Sequence, residues 1–161
     1  MKRRDREITD EIVIRDILDR AHFLHLALSD DGQPYVIPMN YGYQLENGKL
    51  IFYLHGGMDG YKYEVLKKNP KISFSLECDV KPFEGRTACQ YGMTYSSVVG
   101  KGTAVFVDDP AQKQQAMTIL MKAQTGKDFT FDERLVSIVK VIRLDITEFT
   151  AKRRPLPGQE G

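Results

Sequence analysis

The sequence predicts an α+β protein, mainly β: six strands forming a closed or partly closed antiparallel barrel, with about three helices packed outside it. Three observations carry this. Asp31-Gly32 and Asn47-Gly48 are turn pairs between strand-like runs, and the second is a strong two-residue hairpin signal. Ile72, Phe74 and Leu76 alternate with Ser73, Ser75 and Glu77, which gives that strand one buried and one polar face. Strands and helices do not alternate as a parallel βαβ sheet requires.

The first helix starts at Thr9 or Asp10, where a side-chain oxygen can accept from the first free N–H groups. Ile14, Ile17, Leu18 and Ala21 then form one apolar stripe. Phe23–Leu28, Pro34–Tyr43 and Lys49–His55 read as three strands of an antiparallel meander. A glycine-rich stretch, Gly56 to Lys62, opens a short helix that ends near Lys68, before Asn69-Pro70. Asp59 is the expected N-cap, and Met58 and Tyr63 have the spacing of a hydrophobic staple. Residues 79–90 read as a loop. Tyr91–Val107 is a long strand, with a bulge or bend at Gly100 and Gly102. Asp109-Pro110 starts a helix whose Ala116, Ile119, Leu120 and Ala123 share a face, and Gly126 closes it. Leu135–Phe149 is the last strand. A short basic tail begins at about residue 152 with Lys152-Arg153-Arg154-Pro155.

The length of 161 residues fits one domain spanning 1–161, large enough for its own core. A net charge of +1 gives no electrostatic reason to expect a nucleic-acid partner. No apolar run approaches the roughly 20 residues of a membrane span, so no membrane association is expected. Cys78 and Cys89 form no CxxC motif, and both are expected to be inert buried thiols. With a charged N-terminus, this predicts a cytoplasmic protein.

Several chemistries find no support. There is no GxGxxG, no P-loop, no GxSxG and no HExxH. His22 and His25 lie three apart near one strand, where side chains tend to opposite faces, and ordinary core or rim histidines are expected, with no metal. What remains is a phosphate-site candidate. A glycine-rich turn feeding a helix N-terminus presents free N–H groups and a positive dipole end. His55 precedes it and Lys62 sits in its first turn. A lysine there opposes the dipole unless an anion lies beside it. Lys62 either meets such an anion or points to solvent.

Four blocks carry a resemblance: Gly32 to Tyr41, Leu50 to Gly56, Gly60-Tyr61-Lys62 through Phe74, and Cys89 with Tyr95 to Ala104. Over roughly residues 5–155, in order and spacing, they resemble the FMN-binding split β-barrel family related to pyridoxamine 5′-phosphate oxidase. Within it they are most similar to the nitroimidazole-resistance branch. The resemblance implies a homodimer with FMN at the subunit interface. It implies that Pro38, Met39, Asn40 and Tyr41 lie along the flavin ring, largely through backbone contacts. It places Tyr53 and His55 near the ribityl chain and phosphate, Lys62 on the phosphate, and Ser97 and Val98 against the cofactor. Met39, Tyr41 and Tyr53 have the character of an apolar wall for the ring. His55 either holds the ribityl chain or phosphate or donates a proton to the acceptor.

The function so implied is that of an FMN-dependent oxidoreductase reducing a small organic electron acceptor, with nitroimidazole-type nitroaromatics as one class. Two alternatives stand beside it. One is a non-catalytic flavin-binding or redox-sensing protein. The other is a haem-binding split barrel using His22, His25 or His55 as axial ligand. The chain departs from authentic pyridoxamine-phosphate oxidases in having no Trp, and its basic tail does not match their C-terminal segment, which argues against pyridoxine phosphate as substrate.

Overall fold

The computed structural model describes residues 4–158. It begins with β1 (Glu7–Ile8) and α1 (Glu11–Arg20), followed by β2 (Phe23–Asp30), β3 (Gln33–Asn40), β4 (Gly42–Glu46) and β5 (Lys49–Gly56). Then come α2 (Tyr61–Lys68), β6 (Lys71–Phe83), β7 (Gly92–Val107), α3 (Pro110–Thr125), α4 (Glu133–Ser137) and β8 (Lys140–Arg154). The sheet runs β3-β2-β6-β7-β8-β5-β4, with β1 attached to β8, and every pairing is antiparallel.

The sheet curls around one core. Leu24, Leu26, Phe52, Leu54, Phe74, Leu76, Val98, Ile142 and Leu144 are all buried in it. Phe52 and Phe74 come from strands far apart in the sheet order, yet their rings meet edge-on at 4.9 Å between centroids. Such a pair adds about 0.5–1.5 kcal/mol beyond its buried area. The two sheet edges, β3 and β4, are joined through the single residue Tyr41. Tyr41 therefore spans the split in the barrel. Its hydroxyl donates to the carbonyls of Leu18 (2.7 Å) and Ala21 (2.8 Å), and this ties the seam to the end of α1.

The antiparallel barrel with outer helices is as predicted, but among the described residues eight strands and four α-helices replace six and three. The run 34–43 is not one strand, because the chain leaves one sheet edge at Asn40 and enters the other at Gly42. Consequently the predicted three-stranded meander does not form: β3 pairs with β2, and β4 with β5. Residues 79–90 are not all loop, since β6 continues to Phe83 past a bulge between Cys78 and Lys81. Asp79 takes a left-handed φ of 59° at that bulge, and short polar side chains tolerate that region.

The predicted strand 135–149 starts too early and ends too soon. Asp132 caps α4 by accepting from Leu135 N at 2.8 Å, and β8 then runs from Lys140 to Arg154. Lys152 to Arg154 are not a solvated tail, because they pair with Ser97, Ser96 and Tyr95 on β7. On α3 the buried face is Ala116, Met117 and Leu120, while Ala123 is exposed. The caps of α1 and α3, the C-cap Gly126 and the bulge at Lys101/Gly102 stand where predicted.

Candidate functional site

At one end of the barrel β5 delivers His55 and Gly56 beside the start of β8, with His55 opposite Val141 and Gly56 opposite Lys140. The chain then turns into α2. The N-cap is Gly60, with φ 148° and no side-chain cap, and not the expected Asp59. That shift by one residue dissolves the staple: Met58 is exposed, and Tyr63 turns into the barrel end beside Phe106, 6.1 Å between ring centroids. The α2 N-terminus is thus left without a side-chain acceptor, and its N–H groups and dipole favour an anion.

Four polar groups gather there without a hydrogen-bond partner among the described residues. Tyr63 is only 2% exposed, yet its hydroxyl has no hydrogen-bond partner, and neither has the buried His55 Nδ1. Lys62 Nζ stands 4.3 Å from the centre of the Tyr63 ring, and Lys140 Nζ 4.8 Å from it. Neither lysine forms an ion pair among the described residues. Burial pushes the Lys62 ammonium pKa down. Burial, and then the charge of Lys62, push that of His55 down from its ordinary 6.5. Both effects favour the neutral form of the His55 imidazole. A Cβ on Gly56 would collide with the Tyr63 hydroxyl and come within 3.2 Å of Lys62 Nζ, so the missing side chain keeps a cradle open between them. Cationic donors, a free hydroxyl and a helix N-terminus without a side-chain cap make a donor set suited to a phosphate.

The other predicted residues lie at varying distances from this cluster. Pro38, Met39 and Asn40 are on β3, an edge strand with one side unpaired; Pro38 and Asn40 are exposed and Met39 is buried. The same edge approaches α2 through Tyr35 and Tyr61, whose rings meet at 5.1 Å. The Tyr41 side chain lies wholly in the core, and its carbonyl accepts from Gln124 Nε2 at 2.7 Å. Tyr53 packs against the cluster formed by Val107, Ala116, Met117, Val136 and Val141, with its hydroxyl donating to Gln44 at 2.8 Å.

Ser97 and Val98 are buried but distant. Ser97 pairs with Lys152, while Gly56 pairs with Lys140 at the opposite end of β8. The intervening strand is about 40 Å long when extended. One chain therefore does not bring Ser97 to Lys62.

The family model for pyridoxamine 5′-phosphate oxidase matches residues 10–153. The chain belongs to that family. A solved member-like structure, a proposed 5-nitroimidazole antibiotic resistance protein from Bacteroides thetaiotaomicron, is 30% identical with a TM-score of 0.77. That match covers 91% of this chain and 86% of the other. A FAD and haem binding protein from Mycobacterium smegmatis matches at 17% identity and a TM-score of 0.78, over 97% of this chain and 76% of its own. A flavocytochrome from Azotobacter vinelandii matches at 20% and 0.75, over 96% and 72%. These last two likenesses are of fold alone. No curated protein matches the chain.

In this pyridoxamine 5′-phosphate oxidase family member, two features of the site were not legible in the sequence. Tyr63 has the spacing of a packing residue, so nothing marked its hydroxyl as free. Lys140 falls inside the stretch read as strand, with no local motif. Cys89 is exposed, contrary to the expected buried thiol; Cys78 is half-buried, and burial pushes its pKa up to about 11.

Among the described residues no group of His, Cys, Asp and Glu is arranged to hold a metal ion. None of the helices is long and apolar enough to cross a membrane. His22 is exposed, and His25 lies on β2 with Nδ1 3.8 Å from Glu77.

Proposed function

We propose that this chain is a homodimeric, cytoplasmic, FMN-dependent oxidoreductase that reduces small organic acceptors, nitroimidazole-type nitroaromatics among them. The observation that carries this reading is the unpaired polar cluster at α2. Lys62, the free Tyr63 hydroxyl and an uncapped helix N-terminus surround the space that Gly56 leaves open. Unpaired buried polar groups are costly, so a cluster of them calls for a ligand. FMN fits, because its phosphate is a small dianion on a flexible chain.

When bound, FMN supplies the electron-transfer chemistry, and the protein supplies binding and orientation. Lys62 holds the phosphate by a charge-assisted hydrogen bond. His55, whose buried Nδ1 has no partner, hydrogen-bonds the ribityl chain or phosphate, a holding role. The unpaired edge of β3 offers backbone N–H and C=O groups from Pro38 to Asn40 along one side of the ring, and Pro38 belongs at such an edge because it has no N–H to give a neighbour strand.

A second copy completes the site. The outer sheet face carries the exposed Phe23, Val36 and Val99, and the row Pro38, His25, Ser75, Val99 crosses four strands. Packing this face on its copy would bring the other chain's β7, with Ser97 and Val98, toward the flavin. Haem is supported less well, because the cationic cluster beside His55 suits a phosphate, His22 is exposed and His25 stands beside Glu77.

The test is anaerobic. Reduce FMN-loaded protein chemically, add a panel of nitroimidazoles, other nitroaromatics and quinones, and follow flavin reoxidation by absorbance. Reoxidation by at least one acceptor, faster than for free reduced FMN, is expected. FMN binding without any reoxidation would favour a flavin-binding protein, and failure to bind FMN would overturn the reading.

A further inference from the structure

We infer that the chain carries a second ligand site, at the end of β8 away from Lys140, where Arg154 and Lys81, supported by Lys152 and Arg6, take the carboxylate or phosphate of a small organic anion. The inference does not depend on the flavin reading.

β6, β7 and β8 run on together past the bulge between Cys78 and Lys81. A cavity of about 340 Å³ opens there between Lys81, Tyr95, Arg153 and Arg154, with Pro155 and Leu156 as an apolar side. Ligand cavities run from about 300 to 1,000 Å³, so this one suits a small organic molecule. Asp79 also lines it, but that carboxylate is already met by Arg20 and by Ser96 Oγ. Arg153 is met as well: its Nε donates to Ser96 Oγ at 3.0 Å, and it lies 3.9 Å from Asp16. The other cations are not. Among the described residues no carboxylate pairs with Arg6, Lys81, Lys152 or Arg154, although Glu7 stands opposite Lys152 in the ladder.

Two of these cations have aromatic rings instead. Arg154 lies over the Phe83 ring, 4.9 Å from its centre, and Lys152 Nζ is 5.4 Å from the centre of the Tyr95 ring. Gly92 lets Arg154 lie there, because a Cβ on it would come within 2.6 Å of Phe83 Cζ and 2.8 Å of Arg154 Nη2. A guanidinium held over a ring keeps its edge donors for a carboxylate or phosphate, which it can take in a bidentate grip. Burial pushes the Tyr95 hydroxyl pKa up, but hydrogen bonds from Lys152 and then Arg6 outweigh it and hold it below the ordinary 10. Lys152 and Arg6 therefore share one uncharged oxygen where a carboxylate would serve better. The chain as a whole has a net charge of only +1, so these cations are a local concentration and not a general basicity. A cleft lined by one sign of charge draws in the other. An anion with its head group at Arg154 and Lys81 would rest its apolar body on Pro155 and Leu156.

Isothermal titration calorimetry of FMN-saturated protein with benzoate, phenyl phosphate and benzamide tests this, since FMN then fills the α2 cluster. Benzoate and phenyl phosphate should bind and neutral benzamide should not, and the tighter anion names the head group. Arg154→Met keeps a stem over Phe83 and should weaken both anions about 10-fold, with part of the loss restored in Arg154→Lys. Lys81→Met should weaken them about 3-fold, and because Lys81 is exposed this variant serves if Arg154→Met does not fold. If the protein takes up no FMN, the same titrations on Lys62→Ala apoprotein keep this test separate from the flavin reading.

Absence of binding by either anion overturns the inference, as does benzamide binding as tightly as benzoate. So do anion affinities unchanged in both Arg154→Met and Lys81→Met. Anion binding that is present in the apoprotein and lost on saturation with FMN would give these cations to the flavin site and overturn it too.

Discussion

The corner around α1 and the corner around α2 each hold a buried tyrosine beside charged side chains and treat them in opposite ways. At α1, Arg20 forms ion pairs with Asp16 and Asp79. Asp79 also accepts from Ser96 Oγ at 3.0 Å, and Ser96 accepts from Arg153 Nε at 3.0 Å. Hydrogen bonds from Arg20 lead the effects that hold the Asp79 carboxyl below the usual range. The buried Tyr41 hydroxyl there has two carbonyl partners. At α2 the buried Tyr63 hydroxyl has none, and two lysines stand without a carboxylate. A closed network explains itself as structure, because each charge is met within the fold. An open one has no such account and points outside the chain, to a ligand.

The strongest way to break the comparison is at Lys62. If its ammonium meets the FMN phosphate, Lys62→Ala should cost about 1.5–3 kcal/mol of FMN affinity, the range for a hydrogen bond to a charged group. The apoprotein should be no less stable, since the charge it loses has no partner. Titration of apoprotein with FMN, and a thermal melt beside it, check both halves. Unchanged affinity removes Lys62 from the site.

Tyr41 provides the matching test at the closed corner. Tyr41→Phe removes a donor from two carbonyls and should lower stability by about 1–2 kcal/mol. Chemical denaturation measures it, and FMN affinity should hold, because that side chain lies in the core. A variant as stable as the wild type would show that the α1 corner does not depend on the bonds credited to it.

The smallest effect is one of pH. Because the folded-state pKa of His55 lies below 6.5, the unfolded chain binds more protons in the window below that value. Stability of the apoprotein should therefore be greater above pH 6.5 and fall as the pH drops toward the folded-state pKa of His55. His55→Gln should flatten that part of the profile. Melting temperatures across pH 5–8 read it out, and an unaltered slope in the variant would mean that His55 is not the group responsible.

Much of this molecule is written locally. The 72–77 alternation, the Asp10 and Asp109 caps, the Gly126 stop and the Asn47-Gly48 hairpin each follow from neighbouring residues, because steric limits and hydrogen-bonding needs act over a few positions. So does the position of Lys62 in the first turn of a helix with a glycine-rich entry. The residues that fail to read this way depend on distant partners. Tyr41 looks like the end of a strand, and only closure of the barrel makes it the one-residue bridge between two edges. Lys152 to Arg154 look like a solvated tail, and only the ladder with Tyr95 to Ser97 makes them strand. Tyr63 at staple spacing promises a packed ring, which it is, but whether its hydroxyl finds a partner is set by β5 and β8. Lys140 gains its place beside Lys62 from a register, Gly56 opposite Lys140, that no local pattern encodes. Propensity and patterning act between near neighbours and are legible in sequence. Pairing across a sheet joins residues far apart in the chain, and it is at such junctions that this fold leaves its polar groups either matched or free.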